Sequence, residues 1–437
     1  MAHGDPARAA ALLLLDRWEE NPVPVDELLA ELDASLSDGR DQRFARQLVL
    51  GTLRWRLRLD WIIGHFCRRP VDELEARVLT ILRLGILQVG FMDRVPERAA
   101  VHTSVELAKR HGARSASGLI NAILRAFIRQ PKRVRYPDPN GETARHLSLY
   151  HSHPQWLVER WLERLGREKT LRLVEANNLP APVWLRPNPL RSTSAALCGE
   201  LELEQGPGGY LRALEPRAVF RSPTYADGHF QIQDPSAGMA VDLLDPQPGE
   251  RVLDACSAPG GKATQIAEKM DDCGVVVATD RSLQRLQRLR ENTQRLHLHC
   301  IRPMTWDACT VGSPHFDRIL VDAPCSGTGI LGRHPDARWT KGIDQLPALV
   351  ARQSKMLAAA FTHLRPGGVL VYSTCSLERE ENEDVVEALL NETPTARIEE
   401  AREYLRNDER AARYAQALPG QHPGDGAFAA RIRKVTT

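Results

Sequence analysis

The chain of 437 residues lacks an excess of either charge: 58 Lys and Arg against 56 Asp and Glu leave a formal net charge of +2. That excludes a uniformly acidic or basic protein but permits a local patch. There is no run approaching the roughly 20 apolar residues of a membrane span, so no membrane association is expected. The eight cysteines include no C-x-x-C pair, which speaks against a structural zinc site, and no metal is expected. Their density is far below that of a disulfide scaffold, which points to a reducing, cytoplasmic setting. The apolar run from Ala9 to Leu15 has no small-residue cleavage pattern after it. It leads into Asp16-Arg17-Trp18-Glu19-Glu20 and reads as one face of a first helix, not a secretory segment. With 42% apolar and 26% charged residues the composition is ordinary for a soluble protein and disfavours disorder, collagen and coiled coil. The length predicts two to four domains.

The first third reads as helices. Ile120, Ile123, Leu124, Phe127 and Ile128 fall on one helical face, and Val78, Leu79, Leu82, Ile86 and Val89 form a similar stripe. Breaks are expected at Asn21-Pro22, Asp38-Gly39, Arg69-Pro70 and Val95-Pro96. The segment Tyr136-Pro137-Asp138-Pro139-Asn140-Gly141 reads as a linker. Charge is uneven here: residues 1–50 carry 5 basic and 10 acidic side chains, a balance of −5, and residues 51–145 carry 18 and 9, a balance of +9. The basic excess includes Arg125, Arg129, Lys132, Arg133 and Arg135, which could neutralise phosphates or simply form a solvated helical face. The stretch 145–235 is mixed, with an amphipathic helix around Trp156, Leu157, Val158 and Trp161 and a short strand from Val183 to Arg186. From Gln233 apolar strands alternate with helices: Val252 to Asp254, Val275 to Asp280, Phe316 to Asp322 and Gly368 to Ser373. This alternation predicts a parallel sheet covered on both faces. The expected domains are therefore residues 1–138, all-helical; 139–232, a small α+β connector; and 233–437, an α/β catalytic domain.

In an open α/β sheet, ligands bind beyond the carboxyl ends of the strands. Asp254, Asp280 and Asp322 each close a strand, and Cys375 lies just beyond another. The turn Asp254-Ala255-Cys256-Ser257-Ala258-Pro259-Gly260-Gly261-Lys262 has two glycines that allow close backbone approach, followed by a helix start with free N–H groups. It fits neither the dinucleotide fingerprint nor the phosphate-cradling loop, because Cys256 stands where the latter needs glycine. Asp280 stands at the interval suited to ribose hydroxyls, a reading that the glycine turn favours over a mere cap on the next helix. Asp322-Ala323-Pro324-Cys325-Ser326-Gly327 offers a strand-end carboxylate to a planar heterocycle. The thiols of Cys325 and Cys375 each lie just past a strand end. Cys256 could do no more than shape its turn, and Cys67, Cys198, Cys273, Cys300 and Cys309 read as structural.

These motifs resemble the family of RNA 5-methylcytosine methyltransferases that use S-adenosylmethionine. Gln233-Asp234-Pro235-Ser236-Ala237, the glycine turn, Asp322 to Gly327, Ser373-Thr374-Cys375-Ser376, Glu380-Glu381-Asn382-Glu383 and Gly424-Asp425-Gly426-Ala427-Phe428 carry the resemblance. Ala427 departs from a pattern that usually has two aromatics there. In the first third, Leu84-Gly85-Ile86-Leu87-Gln88, Val95 to Val101 and Gly118 to Arg125 are similar to the NusB-like, antitermination-factor-like RNA-binding domain of one bacterial branch. Leu147 to Pro154, with Trp156-Leu157, resembles that branch's connector.

The resemblance implies a Rossmann-like methyltransferase domain, a 16S ribosomal RNA substrate and methylation at carbon 5 of a cytosine. It assigns Cys375 as the thiolate nucleophile, Cys325 to product release and Asp322 to the base near ring nitrogen 3. It gives Cys256, Ser257, Ala258, Pro259, Gly260, Gly261, Lys262, Asp280, Asp307 and Asp322 to the cofactor, with Asp307 near the adenine. Lys262 is also a candidate for lowering the pKa of the nucleophilic thiol. Arg125, Arg129, Lys132 and Arg133 become candidate RNA contacts, and a monomer is expected. Two other classes stay in view. One is a non-catalytic RNA-binding or assembly protein, against which the intact cysteine pair counts. The other is a nicotinamide-dependent dehydrogenase, against which the missing G-x-G-x-x-G counts.

Overall fold

The structure is a computed structural model that describes residues 5–310, 315–406 and 408–436. The chain forms two compact units: residues 1–178 with 334–340, and residues 179–333 with 341–437.

The first unit is helical: α1 (Asp5–Glu20), α2 (Val25–Ser35), α3 (Gly39–Phe66), α4 (Ala76–Phe91), α5 (Glu97–Arg110), α6 (Ser117–Arg129), α7 (Thr143–His151) and α8 (Gln155–Ala176). The expected breaks all fall between helices. Asp38 caps α3 by accepting from the N–H groups of Arg40 and Asp41, and the Pro96 backbone precedes the first turn of α5. The α6 stripe lies on the core, with Ile120, Ile123, Leu124 and Phe127 buried. The α4 stripe understates that helix, because Thr80 through Gln88 are all buried. It is enclosed by its neighbours, and Gly85 lets α6 come close: a Cβ there would stand 2.8 Å from the Leu124 methyls. Enclosure makes the polar residues of α4 find partners. Arg83 donates to both Asp60 oxygens and to Glu19, and Gln88 accepts from Arg8. Arg56 also pairs with Glu19, and Arg77 with Asp16. Part of the basic excess of 51–145 is thus neutralised by the acidic first fifty residues.

A short segment from far along the chain completes this unit. Residues 334–340 include the turn of helix Ala337–Thr340. Arg338 is 2% exposed. Its guanidinium donates to the carbonyls of Arg54, Ser152 and Asn177 and to Asn178 Oδ1, all at 2.8–2.9 Å. The Trp339 indole N–H donates to Leu53 O at 2.6 Å, and Asp336 Oδ2 accepts from the Val25 N–H at the start of α2.

The second unit contains two sheets. Strands β1 (Trp184–Pro187), β2 (Leu203–Gln205), β3 (Leu211–Ala213) and β4 (Phe230–Ile232) form an antiparallel sheet in the order β2-β3-β1-β4. The larger sheet is built from β5 (Arg251–Asp254), β6 (Val275–Asp280), β7 (Ile301–Thr305), β8 (Phe316–Asp322), β9 (Leu364–Thr374), β10 (Ala396–Glu399), β11 (Ala415–Ala417) and β12 (Ala427–Lys434). Its order is β10-β12-β9-β8-β5-β6-β7, with β11 on β12. Strands β5 to β9 pair in parallel, as the alternation predicts. The expected parallel sheet carries an antiparallel addition at one edge, where β12 runs antiparallel to both β9 and β10. Its neighbours β10 and β11 are short, so no helix–strand alternation announces this edge. Alternate residues divide between two cores. Val252, Val276, Leu320, Val369 and Val371 face one, which includes Met239 and Leu243 of helix Pro235–Leu244. Leu253, Ile319, Val321, Leu370 and Tyr372 face the other, which includes Met356 and Phe361 of helix Leu346–His363. A buried ion pair, Arg186 with Glu268 at 2.8 Å, joins β1 of the small sheet to helix Gly261–Lys269. Among the described residues, no helix is long and apolar enough to cross a membrane.

Arg338→Ala would remove four hydrogen bonds, two of them to buried carbonyls. We expect it to destabilise the helical unit by at least about 2 kcal/mol, read as a lower urea midpoint, with partial recovery in Arg338→Lys.

Candidate active site

The carboxyl ends of β5, β6, β8 and β9 lie along one edge of the sheet. The register Asp254↔Ala278, Asp254↔Leu320 and Asp322↔Ser373 fixes this. Local bonding holds the turn after β5. The Ser257 N–H donates to Thr279 O at 2.8 Å, Arg285 donates to Ala258 O, and Asn292 donates to Pro259 O at 3.1 Å. Gly260 has φ of +109° at the N-cap of helix Gly261–Lys269, a conformation that favours glycine. A Cβ there would also meet Leu289 at 3.1 Å.

Asp254 is fully buried, and neither of its carboxylate oxygens has a hydrogen-bond partner. Burial first, and then the nearby charge of Asp322, push its pKa up to about 8. Asp280 is 6% exposed. Its Oδ1 accepts from the Ser282 N–H at 2.9 Å and its Oδ2 pairs with Arg285 at 3.2 Å, while the Ser282 hydroxyl caps helix Leu283–Arg295. Asp307 is half exposed, and the Cys309 N–H holds its carboxyl below the usual range. Burial and the carboxylates of Asp322, Asp254 and Asp280 raise the Cys256 pKa, so this cysteine stays a thiol.

The Lys262 ammonium reaches from the first turn of its helix to Asp322 Oδ2 at 2.6 Å. Burial alone would lower the Lys262 pKa, but the Asp322 carboxylate and the charge on Cys375 raise it above the ordinary lysine value. Cys325 and Cys375 follow adjacent strands, and their sulfurs are 3.2 Å apart. The Cys325 thiol is pushed well up, chiefly by its hydrogen bond to Cys375 and by burial. Either sulfur can donate in this contact.

The motifs expected from the sequence thus gather at this edge, and residues without a sequence-assigned role hold them there. Arg333 pairs with both Asp234 and Asp425, tying the segment that opens the catalytic domain to the one near its end. Gly329 donates to Cys375 O at 2.9 Å and accepts from the Gly426 N–H at 2.8 Å. A Cβ on Gly329 would stand 2.7 Å from Cys375 O, so only glycine fits this approach. Ala427 is buried opposite Ala417, and Phe428 packs against Tyr372 and Tyr414. Arg125, Arg129, Lys132 and Arg133 are exposed on the helical unit, with Arg133 over the Phe66 ring. Among the described residues, no group of three or more His, Cys, Asp or Glu side chains could hold a metal ion.

A sheet in this order, with one reversed strand near its edge and polar groups at the carboxyl ends, defines a Rossmann-like methyltransferase domain. The chain belongs to the 16S rRNA methyltransferase RsmB/F family, whose pattern matches residues 241–433. The NusB family matches residues 5–129, and an RsmF/B-like ferredoxin-like domain matches residues 153–207. Proteins called ribosomal RNA small subunit methyltransferase B from Serratia proteamaculans and Yersinia pseudotuberculosis are 35% and 36% identical, over 98% of this chain and 98% of theirs. The crystal structure of PH0851 shares the fold at a TM-score of 0.79, with 24% identity over 98% of this chain and 99% of its own. A methyltransferase homolog protein from Pyrococcus horikoshii matches at a TM-score of 0.59 and 28% identity, over 68% of this chain and 100% of its own.

The carboxyl of Asp254 has a pH signature. Between the ordinary value of 3.8 and about 8, the folded chain binds a proton there that the unfolded chain releases. Stability from this group is therefore lost as pH rises through that window. Asp254→Asn mimics the neutral carboxyl, so urea midpoints at about pH 5 and about pH 8 should differ less in the variant than in the parent.

Proposed function

We propose that the chain transfers a methyl group from S-adenosylmethionine to carbon 5 of a cytosine in 16S ribosomal RNA, through a covalent adduct between Cys375 and the base. The observation that carries this reading is the 3.2 Å approach of two thiols beside the Lys262–Asp322 pair. An RNA-binding chain without catalysis has no use for that apposition. The ribosomal RNA substrate goes with a cytoplasmic setting. Residues 1–138, 139–232 and 233–437 then serve as RNA-binding domain, connector and catalytic domain. Exposed Arg125, Arg129, Lys132 and Arg133 serve as phosphate contacts.

The residues present fit the cofactor. The unpartnered, buried carboxylate of Asp254 suits a cationic group such as the α-ammonium of the methionine part. The turn Cys256-Ser257-Ala258-Pro259-Gly260-Gly261-Lys262 allows close backbone approach. Asp280 suits the ribose hydroxyls and Asp307 the adenine end. When bound, S-adenosylmethionine supplies a methyl group activated by its positively charged sulfur.

Carbon 5 of cytosine is a poor nucleophile while the ring is aromatic. The Cys375 thiolate adds at carbon 6, which breaks the aromaticity and makes carbon 5 enamine-like. A free thiol is only a few per cent ionised at neutral pH, and the Lys262 ammonium is the cation that would stabilise the thiolate. Asp322 holds Lys262 and bonds the base near ring nitrogen 3. Once carbon 5 carries the methyl group its proton passes to water, and the C–H electron pair forms the double bond between carbons 5 and 6. The bond from Cys375 to carbon 6 then breaks, and its electron pair returns to the sulfur, with Cys325 assisting release. The target base must be unpaired or flipped out of its stack to reach these groups.

Cys375→Ala should lower methyl transfer to ribosomal RNA by at least about 1,000-fold with cofactor binding intact, and retained activity would rule out the nucleophile assignment. Cys325→Ala should accumulate a protein–RNA adduct that survives a denaturing gel. Normal turnover without an adduct would remove Cys325 from the release step.

A further inference from the structure

The two thiols are held together by a group that takes no part in the reaction just described. Glu381 is fully buried in the turn Arg379–Glu381. Its Oε1 accepts from the Ser326 N–H at 2.8 Å and from Gln353 Nε2 at 2.9 Å. Its Oε2 accepts from the hydroxyls of Ser326 and Ser376, the latter at 2.5 Å. Ser326 follows Cys325 and Ser376 follows Cys375, so one carboxylate grips the residue next to each cysteine. Gln353 also donates to Pro324 O at 3.0 Å, which fixes the other side of Cys325. The Tyr372 hydroxyl donates to Glu381 O at 2.7 Å, which anchors the turn to β9 itself.

Placing a carboxylate here is costly by default. Among the described residues no cation pairs with it, and a buried charge without a counter-ion is tolerated only when hydrogen bonds satisfy it fully. Four donors converge on its two oxygens, and each bond to an ionised acceptor is stronger than its neutral equivalent. A glutamine of the same shape would turn an NH2 group toward hydroxyls or toward the Ser326 N–H, so the arrangement depends on the charged form. The charge also bears on the chemistry. It is one of the causes that raise the pKa of the Cys325 thiol.

We infer that Glu381 is a positioning residue for the cysteine pair: its buried carboxylate, through Ser326 and Ser376, sets Cys325 against Cys375. The expected consequence for turnover rests on the catalytic roles proposed above, but the geometric consequence does not. A loosened clamp lets Cys325 drift from Cys375, which slows release of the methylated base more than capture of the cytosine.

The test compares the parent with Glu381→Gln and with the milder Ser326→Ala, which leaves the carboxylate in place, in the full-length chain. Retained cofactor affinity identifies folded protein. The deciding readout is treatment with diamide, which accepts two electrons and two protons as the two thiols become a disulfide, followed by mass spectrometry of the Cys325–Cys375 peptide. Both variants should cross-link several-fold more slowly than the parent, and Glu381→Gln should lose turnover roughly 10- to 100-fold and accumulate protein–RNA adduct. Unchanged cross-linking in folded variants overturns the inference, whatever happens to turnover. If Glu381→Gln does not fold, Ser326→Ala decides alone by the same readout. Slower cross-linking in Glu381→Gln and Ser326→Ala, with no adduct accumulating in them or in Cys325→Ala, upholds the clamp and removes the release role of Cys325 instead.

Discussion

The in-register parallel pairing of β8 with β9 is the constraint on which the site depends. Asp322 lies opposite Ser373, so the segments that leave the two strands start side by side and turn over the same edge. Cys325 and Cys375, fifty residues apart, come to 3.2 Å for that reason. A slip of one residue would send every alternate side chain of β8 into the wrong core and would part the sulfurs at the same time. Val321 and Ile319 on one face and Leu320 on the other are therefore as much a part of the site's geometry as the polar residues at its edge.

Around that pairing the chain uses neutral hydrogen bonds and charge in different places. On the Lys262 side, opposite charges meet, and the ammonium of Lys262 links Asp322 to the electrostatics of Cys375. On the Glu381 side, serine hydroxyls, a backbone N–H and a glutamine surround a carboxylate. The two thiols thus lie between a cationic and an anionic flank. Glycines supply what side chains cannot. Gly329 links Cys375 O to the Gly426 backbone, which ties the edge of the site to the start of β12.

Much of this was legible in the sequence, and the parts that were not have physical causes. Apolar runs alternating with helices marked β5, β6 and β8 nearly residue by residue, and proline and capping signals marked the helix breaks. The motif residues at strand ends reach one edge because parallel strands end together. Hidden from the sequence were contacts that depend on pairing distant segments. No spacing rule links Arg333 to Asp234 and Asp425, or Glu381 to Ser326. The reversed β12 was missed because its partners β10 and β11 are too short to show a period. The charge split between residues 1–50 and 51–145 was visible, but it was read only as surface. Arg56, Arg77 and Arg83 instead spend their charge on Glu19, Asp60 and Asp16 inside the helical unit, whereas Arg125, Arg129, Lys132 and Arg133 remain exposed.

The segment 334–340 has a consequence for the order in which the molecule can be made. Domains generally fold as units from the N-terminus as the chain emerges from the ribosome. Here α1 to α8 are synthesised first, but the carbonyls of Arg54, Ser152 and Asn177 find their Arg338 donor only when residues 334–340 have emerged. By then β5 to β8 and the first cysteine of the pair have also been made. The helical unit is therefore completed only after β5 to β8, half of the strands of the larger sheet, have been made, although its own eight helices precede them in the chain.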